Sequence, residues 1–239
     1  TAGHSATRIT DQPVSRTPMA DGLPRALDSA PRAPRWERRK ESRPAELIAA
    51  ALDLFVERGF AATRLDEVAA RAGVSKGTLY LYFESKEELF KAVIRETIVP
   101  LLSDFQRSIE GANDPAPQVL MQFFRLWWER FGSTRLAGIA KLIISEAGNF
   151  PEIARFFQQE VIVRNDALLA GIIQRGIDRG EFRRLDVRAA CHLWMAPLVL
   201  KAIWSQSLDT LCPAEERLDP SQFIEAHLEF VLSSARVAG

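Results

Sequence analysis

The stretch Thr63–Lys86, TRLDEVAARAGVSKGTLYLYFESK, constrains this chain more than any other. Leu65, Val68, Ala69 and Ala72 fall at i, i+3, i+4 and i+7, the apolar stripe of a short amphipathic helix. Thr63 stands where an N-cap belongs, and Gly73 closes the helix. Ser75 caps a second short helix that carries Leu79 and Phe83. Two short helices joined by a glycine-bearing turn, Ala72-Gly73-Val74-Ser75, read as a helix-turn-helix. The phase of the second helix separates its faces. Leu79 and Phe83 share one and point inward, while Gly77 and Leu81 lie near the opposite one, flanked by Thr78 and Tyr80. With Lys76 at the helix start, the outward face offers close approach, a hydroxyl, a phenol, an apolar group and a cation. That set suits a major groove, where such groups meet base edges and phosphates.

The flanking sequence extends the helical reading. Ile48, Ala51, Leu52 and Phe55 predict an amphipathic helix from about residue 45, ended by Gly59 as a left-handed cap. Ser85-Lys86-Glu87-Glu88 is a capping box, in which serine and glutamate satisfy exposed N–H groups reciprocally. It opens a fourth helix through Leu89, Phe90, Val93 and Ile94 toward Ile109, kinked or interrupted by Pro100. After a loop at Asn113 to Pro117, helices are expected from Gln118 to Phe131, Thr134 to Ala147, Pro151 to Arg179, and Asp186 to Ser207. A last one opens at Asp219-Pro220 and ends near Ser234. No strand pattern or internal repeat intervenes. The fold class is all-α, with a three-helix helix-turn-helix domain over residues 43–92 and a helical domain over 93–239.

Residues 1–34 hold Pro13, Pro18, Pro24, Pro31 and Pro34 and no period. Such a segment buries too little apolar surface to offset its ordering entropy. It reads as a flexible arm taken to residue 42, turning basic at Arg32, Arg35, Arg38, Arg39, Lys40 and Arg43. The arm either follows the phosphate backbone or a minor groove, or is a solvated leader.

Composition bounds the function classes. Lys+Arg and Asp+Glu are both 31, so the net charge of zero argues against coating nucleic acid but permits one local DNA-binding face. The two cysteines, Cys191 and Cys212, form neither a CxxC pair nor a zinc spacing. His192 and His227 stand isolated, so no metal and no cofactor is expected. No segment reaches the roughly 18 apolar residues of a membrane span, and the start of the chain is polar, so a cytoplasmic protein is expected. There is no glycine-rich phosphate loop after a strand, no HExxH, no GxSxG and no Cys/His nucleophile site. An enzyme is not expected.

The runs Leu65-Asp66-Glu67-Val68-Ala69, Ala72-Gly73-Val74-Ser75-Lys76-Gly77-Thr78-Leu79-Tyr80, Tyr82-Phe83 and Ser85-Lys86 together resemble the N-terminal signature of TetR-type repressors over residues 43–92. The resemblance implies phosphate contacts from Thr63, Thr78, Tyr82 and Lys86, and base contacts from Lys76, Gly77, Tyr80 and Leu81. Leu81 departs from the polar or bulky residue many relatives carry there. Arg64 either touches phosphate or is solvated. Tyr80 and Tyr82 have packing under the fourth helix as their alternative, and Lys86 a solvated first turn.

The resemblance also implies a sequence-specific regulator, acting as a homodimeric repressor on double-stranded operator DNA. Its C-terminal helical region would bind a ligand and dimerise. Lys141-Leu142-Ile143-Ile144-Ser145-Glu146-Ala147 through Phe150-Pro151-Glu152 is similar to a subgroup that includes AefR-like regulators. Phe123, Trp127, Phe156 and Trp194 are candidates to line a cavity for a small hydrophobic or aromatic effector, with ordinary core as the alternative. Leu193, Pro197, Leu200 and Trp204 repeat at i, i+4, i+7 and i+11, a stripe for a dimer interface or for the protomer core.

Overall fold

The computed structural model describes residues 35–109, 113–209 and 211–237, and every regular element among them is helical. Of the arm read to residue 42, residues 1–34 lie outside the described residues, and residues 35–42 are helical rather than flexible, forming the start of the first helix. Helix α1 (Arg35–Arg58) begins ten residues before the expected start and runs through Pro44. It ends at Gly59, whose φ of +86° is the left-handed cap expected there.

Helices α2 (Leu65–Arg71) and α3 (Lys76–Tyr80) form the helix-turn-helix. Gly73 sits at φ +66°, and the Val74 N–H donates to the Ala69 carbonyl at 2.9 Å, closing α2. Ser75 Oγ accepts from the Thr78 N–H at 3.1 Å, the cap expected of α3. Two expectations are corrected. Arg64, not Thr63, is the N-cap of α2, and its side chain makes no capping bond. At α4 (Lys86–Thr97) only half of the capping box forms. Ser85 accepts from the Glu88 N–H at 3.1 Å, but the Glu88 carboxylate turns to Lys91 at 2.8 Å.

The fourth helix is not continuous to Ile109. It stops at Thr97, and α5 (Val99–Ile109) restarts with Pro100 in its first turn, where a missing N–H costs nothing. Next come α6 (Ala116–Trp127), with Pro115 as its N-cap residue, and α7 (Ala137–Glu146). The long helix expected from Pro151 is α8 (Pro151–Phe157), a π-helical turn (Gln158–Ile162) and α9 (Val163–Asp178) in one path. A second π turn, Trp128–Gly132, extends α6. Gly132 belongs there because a Cβ would stand 2.9 Å from the Trp127 ring and 2.7 Å from that of Trp128. Helix α10 (Val187–Ser205) is capped by Asp186, which accepts from the Ala189 N–H at 3.0 Å. Asp219 likewise caps α11 (Pro220–Ala235).

One apolar core joins these elements. Phe55, Phe60 and Phe90 form a cluster with ring centroids 5.5–5.6 Å apart beneath the helix-turn-helix. Phe150, from the α7–α8 junction, meets the Phe60 ring edge-on at 4.7 Å. Helix α7 packs on α1 where Gly138 leaves room for Val56, and Arg135 pairs with Asp53 at 2.5 Å. No helix among the described residues is long and apolar enough to cross a membrane, and those residues hold no metal-competent cluster of His, Cys, Asp and Glu.

Candidate DNA-binding face and effector cavity

The turn at Gly73 and the cap at Ser75 rotate α3 so that Leu79 is fully buried and Phe83 nearly so. The opposite side is left free. Leu81 is 82% exposed and Tyr80 45%, with Lys76 and Gly77 exposed beside them. The four residues expected to face bases therefore share one accessible surface. Nothing but the Ser75 side chain lies within 4 Å of a Cβ built on Gly77, so its value there is space for an incoming surface. The Lys76 ammonium lies 2.8 Å from Asp66 and 6.0 Å from the centre of the Tyr80 ring. The Asp66 hydrogen bond and charge raise the Lys76 pKa, so the residue is a cation held in place. Thr78 is half-buried with its hydroxyl 2.9 Å from that of Ser75. Arg64 is exposed and Tyr82 half-buried.

Thr63 and Lys86 are placed differently from the phosphate contacts that the resemblance implies. Thr63 is 2% exposed, and its hydroxyl donates to the Gly59 carbonyl at 2.7 Å, with the Leu54 carbonyl 3.2 Å away. It satisfies the end of α1, because the turn at Gly59 folds the chain back over that end. The Lys86 ammonium donates to the carbonyls of Phe60 at 2.7 Å, Ala61 at 3.0 Å and Thr63 at 3.1 Å. An ammonium has three protons to give, and three carbonyls receive them. It also stands over the Phe60 ring, 4.6 Å from the centroid. Burial lowers the Lys86 pKa, against the charges of Glu87 and Glu146. Both residues tie the α1–α2 loop to the start of α4.

A cavity of about 440 Å³ lies behind this unit, walled by α5 to α10. That volume falls in the range of small-molecule sites. Of the four candidates, Trp127 lines it, and Phe123, Phe156 and Trp194 do not. Phe123 is core, edge-on to Phe105 and Phe124. Trp194 is buried on α10, away from the cavity lining. Phe156 turns outward beneath Arg95, whose guanidinium lies 4.9 Å from the ring centre. The neighbouring Phe157 takes its place, because one residue along a helix turns the side chain by about 100°. Both π turns contribute to the wall, through Phe131 and Val161. Ile144 and Leu200 line the cavity while 67% and 60% exposed, so it reaches the surface between α7 and α10.

Sequence reading missed the polar end of this cavity, formed by Asn165, Asp166 and His192. Asn165 is 7% exposed, and its Oδ1 is buried without a hydrogen-bond partner among the described residues. Desolvation raises the Asp166 pKa, countered by the His192 charge and a hydrogen bond from Asn165. Helix α9 carries other polar residues, so Asn165 and Asp166 gave no distinct signal in the sequence.

The stripe on α10 faces largely away from the protomer core. Leu193 is 67%, Leu200 60% and Trp204 43% exposed, with Pro197 half-buried. Phe230 on α11, which packs on α10, adds a large apolar group 61% exposed.

Residues 47–93 match the family described as bacterial regulatory proteins, tetR family. Residues 119–210 match a tetracyclin repressor-like C-terminal domain. The HTH-type transcriptional activator FasR of Mycolicibacterium smegmatis is 42% identical over 83 residues, 35% of this chain and 36% of that protein. The fatty acid metabolism regulator protein of Bacillus subtilis is 28% identical over 157 residues, 63% of this chain and 78% of that protein. In three dimensions, the transcriptional regulator FadR from Bacillus subtilis, solved in complex with stearoyl-CoA, superposes with a TM-score of 0.63 at 20% identity, covering 80% of this chain and 99% of that one. The first match falls on the helices that carry the exposed α3 face and the second spans much of the cavity wall: the chain belongs to the TetR family and is a DNA-binding transcriptional regulator.

Proposed function

We propose that this chain is a sequence-specific homodimeric repressor, released from its operator by a small hydrophobic effector held in the α5–α10 cavity. The observation that carries the reading is the junction of α7 and α8. This segment supplies Ile143, Ile144 and Phe157 to the cavity. The same segment grips the α1–α2 loop, with Glu146 accepting from the Ala61 N–H at 3.1 Å and Phe150 packed on Phe60. A ligand that shifts α7 therefore acts on the loop from which α2 and α3 depart. A homodimer would set its two α3 helices in successive major grooves of a near-palindromic site. An effector preferring a different α3 spacing would lower DNA affinity by the coupling energy, commonly about 1–3 kcal/mol. Lys76 would give up Asp66 for a base edge, with Gly77, Tyr80 and Leu81 facing bases beside it and Thr78, Tyr82 and Arg64 toward the backbone.

The apolar lining fits the relatives, one a fatty acid metabolism regulator and one solved with stearoyl-CoA. The AefR-like subgroup of residues 141–152 forms part of the same proposal, as does the division into domains at residues 42 and 92. No catalytic step enters the reading. Gel shifts with DNA from upstream of the chain's own gene test it. Sequence-specific retardation at physiological salt, relieved by an apolar ligand, is the expected result. Only weak, non-specific binding that fades with salt would refute it.

A further inference from the structure

The cavity is apolar except at one end, where Asn165, Asp166 and His192 meet. Two acceptors stand there, the Asn165 amide oxygen and the Asp166 carboxylate, beside the His192 ring. Asn165 Oδ1 is buried and without a hydrogen-bond partner among the described residues, on a side chain only 7% exposed. A buried amide oxygen left without a donor costs as much as a lost hydrogen bond, so a donor from a ligand is favoured there. Asp166 adds a second acceptor. The lining includes no lysine and no arginine. A carboxylate or phosphate at this end would meet Asp166 and the Asn165 oxygen with only the exposed His192 ring to answer it.

We infer that the cavity selects an effector with an apolar body and a hydrogen-bond donor at its polar end, a hydroxyl or an amine, and rejects a carboxylate or phosphate there. This rests on the cavity being the effector site and makes its chemistry specific. The donor end meets Asn165 Oδ1 and Asp166, and the chain or ring system runs toward Trp127 and Phe157.

A matched ligand series tests it: decanol, decylamine, decanoate and decanoyl-CoA, measured by calorimetry on the whole protein without DNA. Decanol and decylamine are expected to bind at least about tenfold more tightly than decanoate, the cost of an unmet buried acceptor facing an anion. Asp166→Asn, at a half-buried position that tolerates the change, narrows the gap between decylamine and decanoate. Asn165→Leu weakens decanol without weakening an apolar ligand such as decane. Decanoate or decanoyl-CoA binding as tightly as decanol, equal affinities throughout, or no binding by any of the four, overturns the inference. Release from upstream DNA is measured separately. Alcohol and amine that bind with the expected preference but leave the DNA complex intact refute the effector reading while sustaining this one.

Discussion

Lys86 is engaged within the protein itself. Its ammonium bridges three carbonyls of the α1–α2 loop. Lys86→Met leaves those carbonyls short of donors, and unfolding in urea should show a loss of about 1–3 kcal/mol. The salt slope of DNA binding should stay unchanged, because a phosphate contact would take about one unit from it. His227 gives a second test. It is 6% exposed, edge-on to Phe124, with Nε2 unpartnered. Burial lowers its pKa below the ordinary 6.5, against a hydrogen bond to the Trp194 backbone. A base whose folded pKa is depressed binds its proton more readily when unfolded. The stability it contributes is whole above pH 6.5 and declines as pH falls toward the folded value. The urea midpoint of the native chain should therefore drop more steeply below pH 6.5 than that of His227→Gln, and equal slopes would refute this. The inward and outward residues of α3 were legible beforehand, since a helix period assigns faces. The partners of Thr63 and Lys86 were not, since those carbonyls lie 4 to 26 residues away along the chain.

Among the elements, the caps at Ser75, Ser85, Asp186 and Asp219 were readable because each satisfies N–H groups within three residues. The π turns were not readable. They add one residue to a helical turn without any glycine or proline signal at Gln158–Ile162. Phe157 lines the cavity and Phe156 does not, because adjacent residues of α8 differ by about 100° in direction. The contact of α7 with α1 gives the element-level prediction. A Cβ on Gly138 would stand 2.6 Å from a Val56 methyl, and valine has little rotamer freedom to retreat. Gly138→Ala should cost about 1–3 kcal/mol by overpacking, despite its better helix propensity. A denaturation midpoint equal to that of the native chain would show that the helices slide apart freely.

For the whole molecule, α10 and α11 together present four large exposed apolar groups, Leu193, Leu200, Trp204 and Phe230. Leu193→Glu places a charge on that face and leaves the cavity lining intact. On the homodimer proposal, sedimentation should show dimer for the native chain and monomer for the variant, with DNA affinity falling as the two α3 helices lose their fixed spacing. A variant that remains dimeric would move the interface elsewhere. Local order gave the all-helical class, the caps and the exposed face of α3, because helix periodicity, glycine turns and capping bonds act within a few residues. The docking of Glu146 and Phe150 on the α1–α2 loop, the engagement of Lys86 and the acceptor end of the cavity came from the tertiary structure alone. Each joins residues distant in the chain, and burial there decides which polar groups find partners and which, like Asn165 Oδ1, do not.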